Sequence, residues 1–394
     1  MTSQDPKNSA AFRPVTRRLR AGHDPETSQG FVNPPIVRGS TVLFPDTSTM
    51  RRRAQTYTYG LRGTPTIAAL EEAIDEMEGS YGTVLVPSGL AAVSLPLLAF
   101  LGSGDHCLVV DSVYGPTRLF CDTMLKRMGV ETEYFDPSIG AGLTALMRPN
   151  TRVVFLEAPG SNTFEMMDVA EAAGIARAGG AVSMLDNTWA TPLHFRPLEH
   201  GVDLSIHALT KYPGGHSDLL MGSVSATKET FDRLRDAQMQ FGINVSAEDA
   251  YLVFRGMKTM DLRINAHEAS ALKLARWLEA REDVARVLHP ALPSFPGHDL
   301  WKRQFSGSTG LFSIVLQGGG RVEAAAFLDA LTLFGLGYSW GGFESLALEV
   351  DLRDRRVATA PVEGPVIRLQ VGLEDVDDLQ ADLEAGFAAV RDLA

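Results

Sequence analysis

The chain has 394 residues, and its 36 Lys and Arg against 48 Asp and Glu leave a net charge of −12 at neutral pH. That acidic balance excludes the basic face a nucleic acid requires and gives no general attraction to anionic membranes. A hydrophobic content of 45% with 21% charged residues excludes global disorder, and the length allows roughly two or three domains.

The first ten residues, MTSQDPKNSA, lack the apolar core of a signal peptide. Residues 1–60 read as an arm: they hold Pro6, Pro14, Pro25, Pro34, Pro35 and Pro45, a basic cluster at Arg17, Arg18 and Arg20, and little periodicity. Such a segment cannot bury a core of its own, so it is expected to pack on another surface, such as a second subunit. From residue 61 strands and helices alternate. Thr66–Glu78 has helical spacing of apolar residues. GTVLVPSG, HCLVVD, TRVVFLE, AVSMLD and VDLSIHAL are short apolar runs of strand length, with helical stretches such as 168–178 between them. Alternation of this kind predicts a mostly parallel sheet covered by helices, with ligands bound at the carboxyl ends of its strands. This unit is expected to span 61–258. A long connecting helix over about 259–281 then leads into a smaller α/β unit, 259–394. It contains the strand-like GLFSIVLQ and VIRLQVGL, a helix near 322–334 and a final helix over 376–393.

Several chemistries lose support. Cys107 and Cys121 are too few for a disulfide framework or a multi-thiolate zinc site, and their use fits a reducing compartment. The longest apolar stretch, 90–101, is too short to span a bilayer and contains Ser94 and Pro96. A soluble cytoplasmic protein is expected. His267-Glu268 opens like a zinc protease motif, but Ala271 stands where the second ligand belongs. Gly335-Leu336-Gly337 lacks the third glycine of a dinucleotide fingerprint, and no GxSxG elbow occurs. No metal is expected.

One constellation gains support. VLVPSGLAAV turns from strand to helix at Ser88-Gly89, where free N–H groups and the helix dipole suit a phosphate. AVSMLDNTWA ends its strand at Asp186, and DLSIHALTKYPGGHSD ends its strand at Thr210-Lys211. LVVDSVYGPT places Tyr114 just past another strand. An unpaired ammonium is out of place at a strand end beneath a second domain, and covalent attachment to a carbonyl explains it. A phosphate site, a carboxylate, an aromatic ring and a lysine are the parts that hold pyridoxal phosphate. Lys211 would carry the cofactor, Asp186 would keep its ring nitrogen protonated, and Tyr114 would stack on the ring.

These segments resemble the cysteine/methionine-metabolism family of pyridoxal-phosphate enzymes. SIHALTKYPGGHSD and LDNTWATPL match its cofactor-lysine region, and YTYGLRGTPT, VPSGLAAV, VYGPT, LEAPGSNTFEMMDV, RGMKTMDLRINAHE, YSWGGFESL and VIRLQVGLEDVDDL follow in the family's order. The resemblance implies the aspartate-aminotransferase-like fold (fold type I), with a mostly parallel seven-stranded sheet domain plus a smaller C-terminal α/β domain. It implies that Ser88, Gly89, Leu90 and Thr210 cradle the phosphate. Tyr59 would reach the phosphate of the neighbouring subunit's cofactor, and the assembly would be a homotetramer of two active dimers. Ser339 and Arg368 would clamp the substrate α-carboxylate, and Tyr338 and Trp340 would form the site wall. The family's tyrosine is commonly followed two residues later by an arginine, but here that position is Leu61 and the arginine is Arg62. Either Arg62 reaches the phosphate by a shifted path, or another donor replaces it, or that salt bridge is absent.

Within the family, YSWGGFESL resembles the cystathionine β-lyase form, since γ-acting members usually carry Leu at the position of Trp340. EAPGSNTFEMMDV likewise lacks their Asn-Pro pair. The expected activity is carbon–sulfur β-elimination on a small sulfur amino acid, most simply L-cystathionine cleaved to homocysteine, pyruvate and ammonia during methionine biosynthesis. The alternatives are a γ-acting lyase or synthase, an aminotransferase on the same fold, and a chain that binds the cofactor without turnover.

Overall fold

The computed structural model describes residues 12–26, 28–361 and 363–393; the opening of the expected arm, 1–11, lies outside them. Seven strands form the larger sheet: β1 (Gly82–Val86), β2 (His106–Val110), β3 (Glu131–Phe135), β4 (Thr151–Glu157), β5 (Val182–Asp186), β6 (Leu204–His207) and β7 (Gly222–Ala226). Their order is β1-β7-β6-β5-β4-β2-β3. β7 runs antiparallel to both β1 and β6, and every other pairing is parallel. β1 and β2 are buried along their whole length, which is why they read as unbroken apolar runs rather than alternating ones.

β7 and β3 are the strands of this sheet that the sequence hides. β7 is GSVSA, short and rich in serine, and it is held by polar pairing on its buried face. Ser225 Oγ lies 2.7 Å from Thr83 Oγ1 on β1, and Thr83 in turn donates to Asp75 Oδ1 of helix Pro65–Glu78 at 2.7 Å.

The smaller sheet contains β8 (Val284–Leu288), β9 (Leu311–Leu316), β10 (Gly335–Leu336), β11 (Leu346–Val350) and β12 (Val366–Gln370), in the order β10-β11-β12-β9-β8. Helix Met260–Glu279 leads into it. The helix expected over 322–334 ends at Asp329. Asp382 accounts for the early stop, because its carboxylate accepts the backbone N–H groups of Thr332, Leu333 and Phe334 at 2.7–3.0 Å. Those donors are thereby lost to further helical turns.

The two sheets are pinned together near the carboxyl ends of the parallel strands. Asp111, just past β2, accepts N–H bonds from Arg356, Val357 and Ala358 at 2.6–2.7 Å and pairs with the buried Arg118 at 2.8 Å. Trp189 Nε1 donates to Leu311 O at the start of β9 at 2.9 Å. Among the described residues before 61, two short helices form, Pro14–Arg20 and Thr47–Arg52, and the segment is tied to the body by Arg18–Asp261 at 2.5 Å and by Lys258 Nζ to Leu19 O and Ala21 O. Phe31, Val32 and Leu43 in this segment stand 71%, 75% and 85% exposed.

Glu78, at the end of the helix beneath β6, is fully buried and accepts from Ser205 Oγ at 3.0 Å, while its Oε2 has no partner. Burial raises its pKa to about 8. A carboxyl that titrates higher folded than unfolded holds its proton preferentially in the folded chain. Its stabilisation is therefore full below the unfolded value and lost as pH rises towards about 8. Glu78→Gln, which stays neutral, should gain thermal stability relative to wild type between pH 5 and pH 8, as read by paired melting curves. A constant difference across that range would show that Glu78 does not titrate in this window.

Candidate active site

A cavity of about 330 Å³ opens where the parallel strands end. Five strand ends of the large sheet, one segment beside the small sheet and one residue of β12 build it. β1 runs into helix Gly89–Phe100, whose N-cap Ser88 accepts from Ala91 N at 3.1 Å through its side chain. Gly89 is required there, since a Cβ would lie 2.6 Å from the Cβ of Ala208. Gly89 and Leu90 open the helix, where backbone N–H groups have no partner within it. β2 leads to Tyr114, which is 43% exposed. β4 ends at Glu157 and β5 at Asp186, facing each other in register.

Lys211 stands four residues beyond β6, which ends at His207 rather than at Thr210-Lys211. The strand stops because Ala208 N donates to Thr188 Oγ1 at 3.0 Å, and the chain then turns, with Lys211 N on Ala208 O at 3.1 Å. Thr210 lines the cavity, but its hydroxyl is shared with Met221, donating to Met221 O at 3.2 Å and accepting from Met221 N at 3.0 Å.

The opposite wall is Tyr338, Ser339 and Trp340, which run between β10 and β11, with Arg368 from β12. Lys211 Nζ donates to Ser339 Oγ at 2.6 Å and lies 5.2 Å from the Trp340 ring centroid. Ser339 adopts φ +80°, a left-handed conformation a serine holds only under constraint. Trp340 leans on the buried Tyr212, with ring centroids 5.5 Å apart. Tyr338 is 92% exposed at the rim.

The charges are mutually perturbed. Burial, reinforced by the Arg368 guanidinium and opposed by Asp186, brings the Lys211 pKa down to about 8. At neutral pH roughly a tenth of such a lysine is neutral, against less than about one in a thousand at its ordinary value. Arg368 is lowered to about 10 by burial. Burial raises Asp186 despite bonds to its Oδ1 from Thr188 N at 3.0 Å and Thr188 Oγ1 at 2.5 Å. Its Oδ2 has no hydrogen-bond partner among the described residues.

The cavity thus fits pyridoxal phosphate by its donor set: an anion-binding helix start, a carboxylate oxygen without a partner, an aromatic ring and a lysine with a depressed pKa. Eleven of the residues singled out from the sequence line this cavity in one chain, and two do not. Tyr59, 52% exposed, and the exposed Arg62 do not line the cavity of their own chain.

Two further residues escaped the sequence reading. Glu157 accepts the Tyr114 N–H at 2.8 Å, and burial, then Asp186, push its pKa well up. Asn162 Oδ1 accepts from Arg368 Nη1 at 3.2 Å. Neither carries a local signal: Glu157 is the last residue of the run TRVVFLE, and Asn162 lies in the connection that follows it.

The profile of the family described as "Cys/Met metabolism PLP-dependent enzyme" matches residues 15–388, and the chain belongs to this family. It is 63% identical to a putative cystathionine β-lyase of Rhizobium johnstonii over 95% of this chain and 96% of that one. It is 43% identical to the cystathionine β-lyase MetC of Escherichia coli, over 95% and 98% of the two chains. The fold is similar to that of cystathionine γ-synthase from Xanthomonas oryzae, solved with aminoacrylate and cysteine. The TM-score is 0.90 and the identity 32%, covering 97% of this chain and 100% of that one. The cofactor of the family is pyridoxal phosphate.

Gly341 at φ +85° lets the wall approach the lysine, since a Cβ there would lie 3.0 Å from Tyr212 N and 3.1 Å from Lys211 C. Gly341→Ala should therefore lower kcat/KM by about 10- to 100-fold through displacement of Lys211. Steady-state kinetics check this, and an unchanged kcat/KM would show that the contact does not set the lysine's position.

Proposed function

We propose that the chain is a pyridoxal-phosphate-dependent carbon–sulfur β-lyase acting on L-cystathionine. The observation that carries the reading is Lys211, a base of lowered pKa held by Ser339 Oγ under the Trp340 ring. Its close relatives named as cystathionine β-lyases support the same reaction.

Pyridoxal phosphate, when bound, supplies an electron sink that acidifies the substrate Cα–H. Ser88, Gly89, Leu90 and Thr210 would hold its phosphate end, Asp186 would keep its ring nitrogen protonated, and Tyr114 would stack on its ring. Arg368 binds the substrate carboxylate, for which a guanidinium offers paired donors. Ser339 Oγ accepts one Lys211 N–H and so keeps the amine aimed into the cavity. Neutral Lys211 takes the Cα proton and, as the Cβ–S bond breaks, returns it to sulfur. Homocysteine leaves, and hydrolysis of the remaining three-carbon fragment gives pyruvate and ammonia.

β-Elimination removes one carbon-bound proton, so one base suffices. γ-Elimination must also remove a proton at Cβ. The carboxylates that line the cavity among the described residues are Glu157, committed to Tyr114 N, and Asp186, committed to Thr188. Trp340 adds a rigid wall that limits how the scissile bond can lie.

The reading includes a homotetramer of two active dimers in the cytoplasm, with residues 12–60 packed on a neighbouring subunit and Tyr59 and Arg62 serving that subunit's phosphate. The exposed Phe31, Val32 and Leu43 support the packing, and the buried free thiols of Cys107 and Cys121 fit a reducing compartment.

Cystathionine itself tests the reaction, because β-cleavage yields pyruvate and γ-cleavage yields 2-oxobutyrate. Pyruvate should exceed 2-oxobutyrate by more than about tenfold. Mainly 2-oxobutyrate would replace this reading with γ-chemistry, and amino transfer to an added oxoacid would replace it with an aminotransferase.

A further inference from the structure

Arg368 is gripped from two sides within the chain. Its Nη2 donates to Ser339 O at 3.3 Å and its Nη1 to Asn162 Oδ1 at 3.2 Å. Asn162 lies in the connection after β4, far from Arg368 in sequence, and two constraints fix it. Its backbone takes φ +68°, which Asn tolerates better than most residues. Its carbonyl accepts from Ser313 Oγ at 2.6 Å. Ser313 is buried on β9 and is the cross-strand partner of Arg368 on β12. Ser313, Asn162 and Arg368 therefore form a closed triangle that joins a large-sheet loop to the small sheet.

The guanidinium also decides how the Asn162 amide is turned. An arginine only donates, so the amide must present Oδ1 to it, and Nδ2 points away. Asn162 lines the cavity, and its Nδ2 has no partner among the described residues. An amide N–H beside a guanidinium edge is a donor array suited to a carboxylate.

We propose that Asn162 binds the substrate carboxylate together with Arg368, and that Ser313 is the positioning residue that holds Asn162 in place. The proposal rests on the reading above only in taking the ligand to be an α-amino acid. The amide adds a donor whose direction is set before the substrate arrives, so it contributes to binding more than to proton transfer.

The test is a series at one position in the holoenzyme: Asn162→Asp, Asn162→Gly and Asn162→Ala, with Ser313→Ala. Two quantities are measured: KM and kcat for cystathionine, and the dissociation constant of L-alanine from the absorbance change of the bound cofactor. L-Alanine carries the amine and carboxylate but no leaving group. Asn162→Asp places an anion against Arg368 and should raise KM and the L-alanine dissociation constant more than about tenfold, with a smaller change in kcat. Asn162→Gly and Ser313→Ala should weaken binding in the same direction by a few-fold.

A residue that merely fills a left-handed turn gives the reverse order, because Asp and Gly tolerate that backbone and Ala does not. Wild-type binding in the Asp and Gly variants, with loss in Ala alone, would overturn the proposal. Melting curves identify any variant that fails to fold, in which case the Gly variant carries the test. Wild-type protein that binds L-alanine but releases no pyruvate would sink the lyase reading and leave this inference to stand on the binding data.

Discussion

The hydrogen bond from Lys211 Nζ to Ser339 Oγ, at 2.6 Å, joins the end of the large sheet to the segment before β11 of the small one. Much of the local structure follows from making that contact possible. The backbone of Ser339 is turned to φ +80°, and its carbonyl takes a bond from Arg368. Gly341 has no side chain because the Lys211 and Tyr212 backbones occupy that space. Trp340, between them, is braced by Tyr212, whose hydroxyl accepts the Gly310 N–H at 3.0 Å and whose carbonyl accepts from Arg263 at 2.8 Å. The lysine is thus set by side chains from both sheets, and the proposed chemistry sits at their junction.

Charge balance constrains the same junction. Asp186 and Glu157 end adjacent strands, and Lys211 and Arg368 line the same cavity. Two neighbouring buried carboxyls cannot both ionise without cost. Glu157, the more deeply buried, is therefore the one pushed furthest towards its neutral form, and its contact with Tyr114 N fixes the loop that carries the aromatic ring. Asp111 holds the base of that loop from the other end through three N–H groups of the segment 356–358. Tyr114 is consequently placed by two acidic anchors, one on each side of it in the chain.

The sequence made the parallel strands legible because burial on both faces leaves continuous apolar runs such as HCLVV and TRVVFLE. It hid GSVSA and ETEYF, whose small or polar residues pair within the sheet instead of advertising burial. Lys211, Asp186, Tyr114 and Ser88 were legible because each polar residue interrupts or follows an apolar run at the same end of its strand. Asn162 and Glu157 were not. Their placement depends on strand register and on contacts across 151 residues or more for Asn162, and no local pattern encodes these. The helix expected near 322–334 stops at Asp329 for a similar reason, since the carboxylate that stops it belongs to Asp382 on another helix.

The central claim is that Lys211 is the cofactor-bearing base. Lys258 is its rival on electrostatic grounds, because burial also brings that pKa down to about 8. Its ammonium, however, is spent on Leu19 O and Ala21 O beside the Phe254 ring, outside the cavity. Reduction of the holoenzyme with borohydride, followed by peptide mass spectrometry, separates the two. The reduced cofactor should be found on the peptide containing Lys211. An adduct on Lys258 or any other lysine would contradict the account.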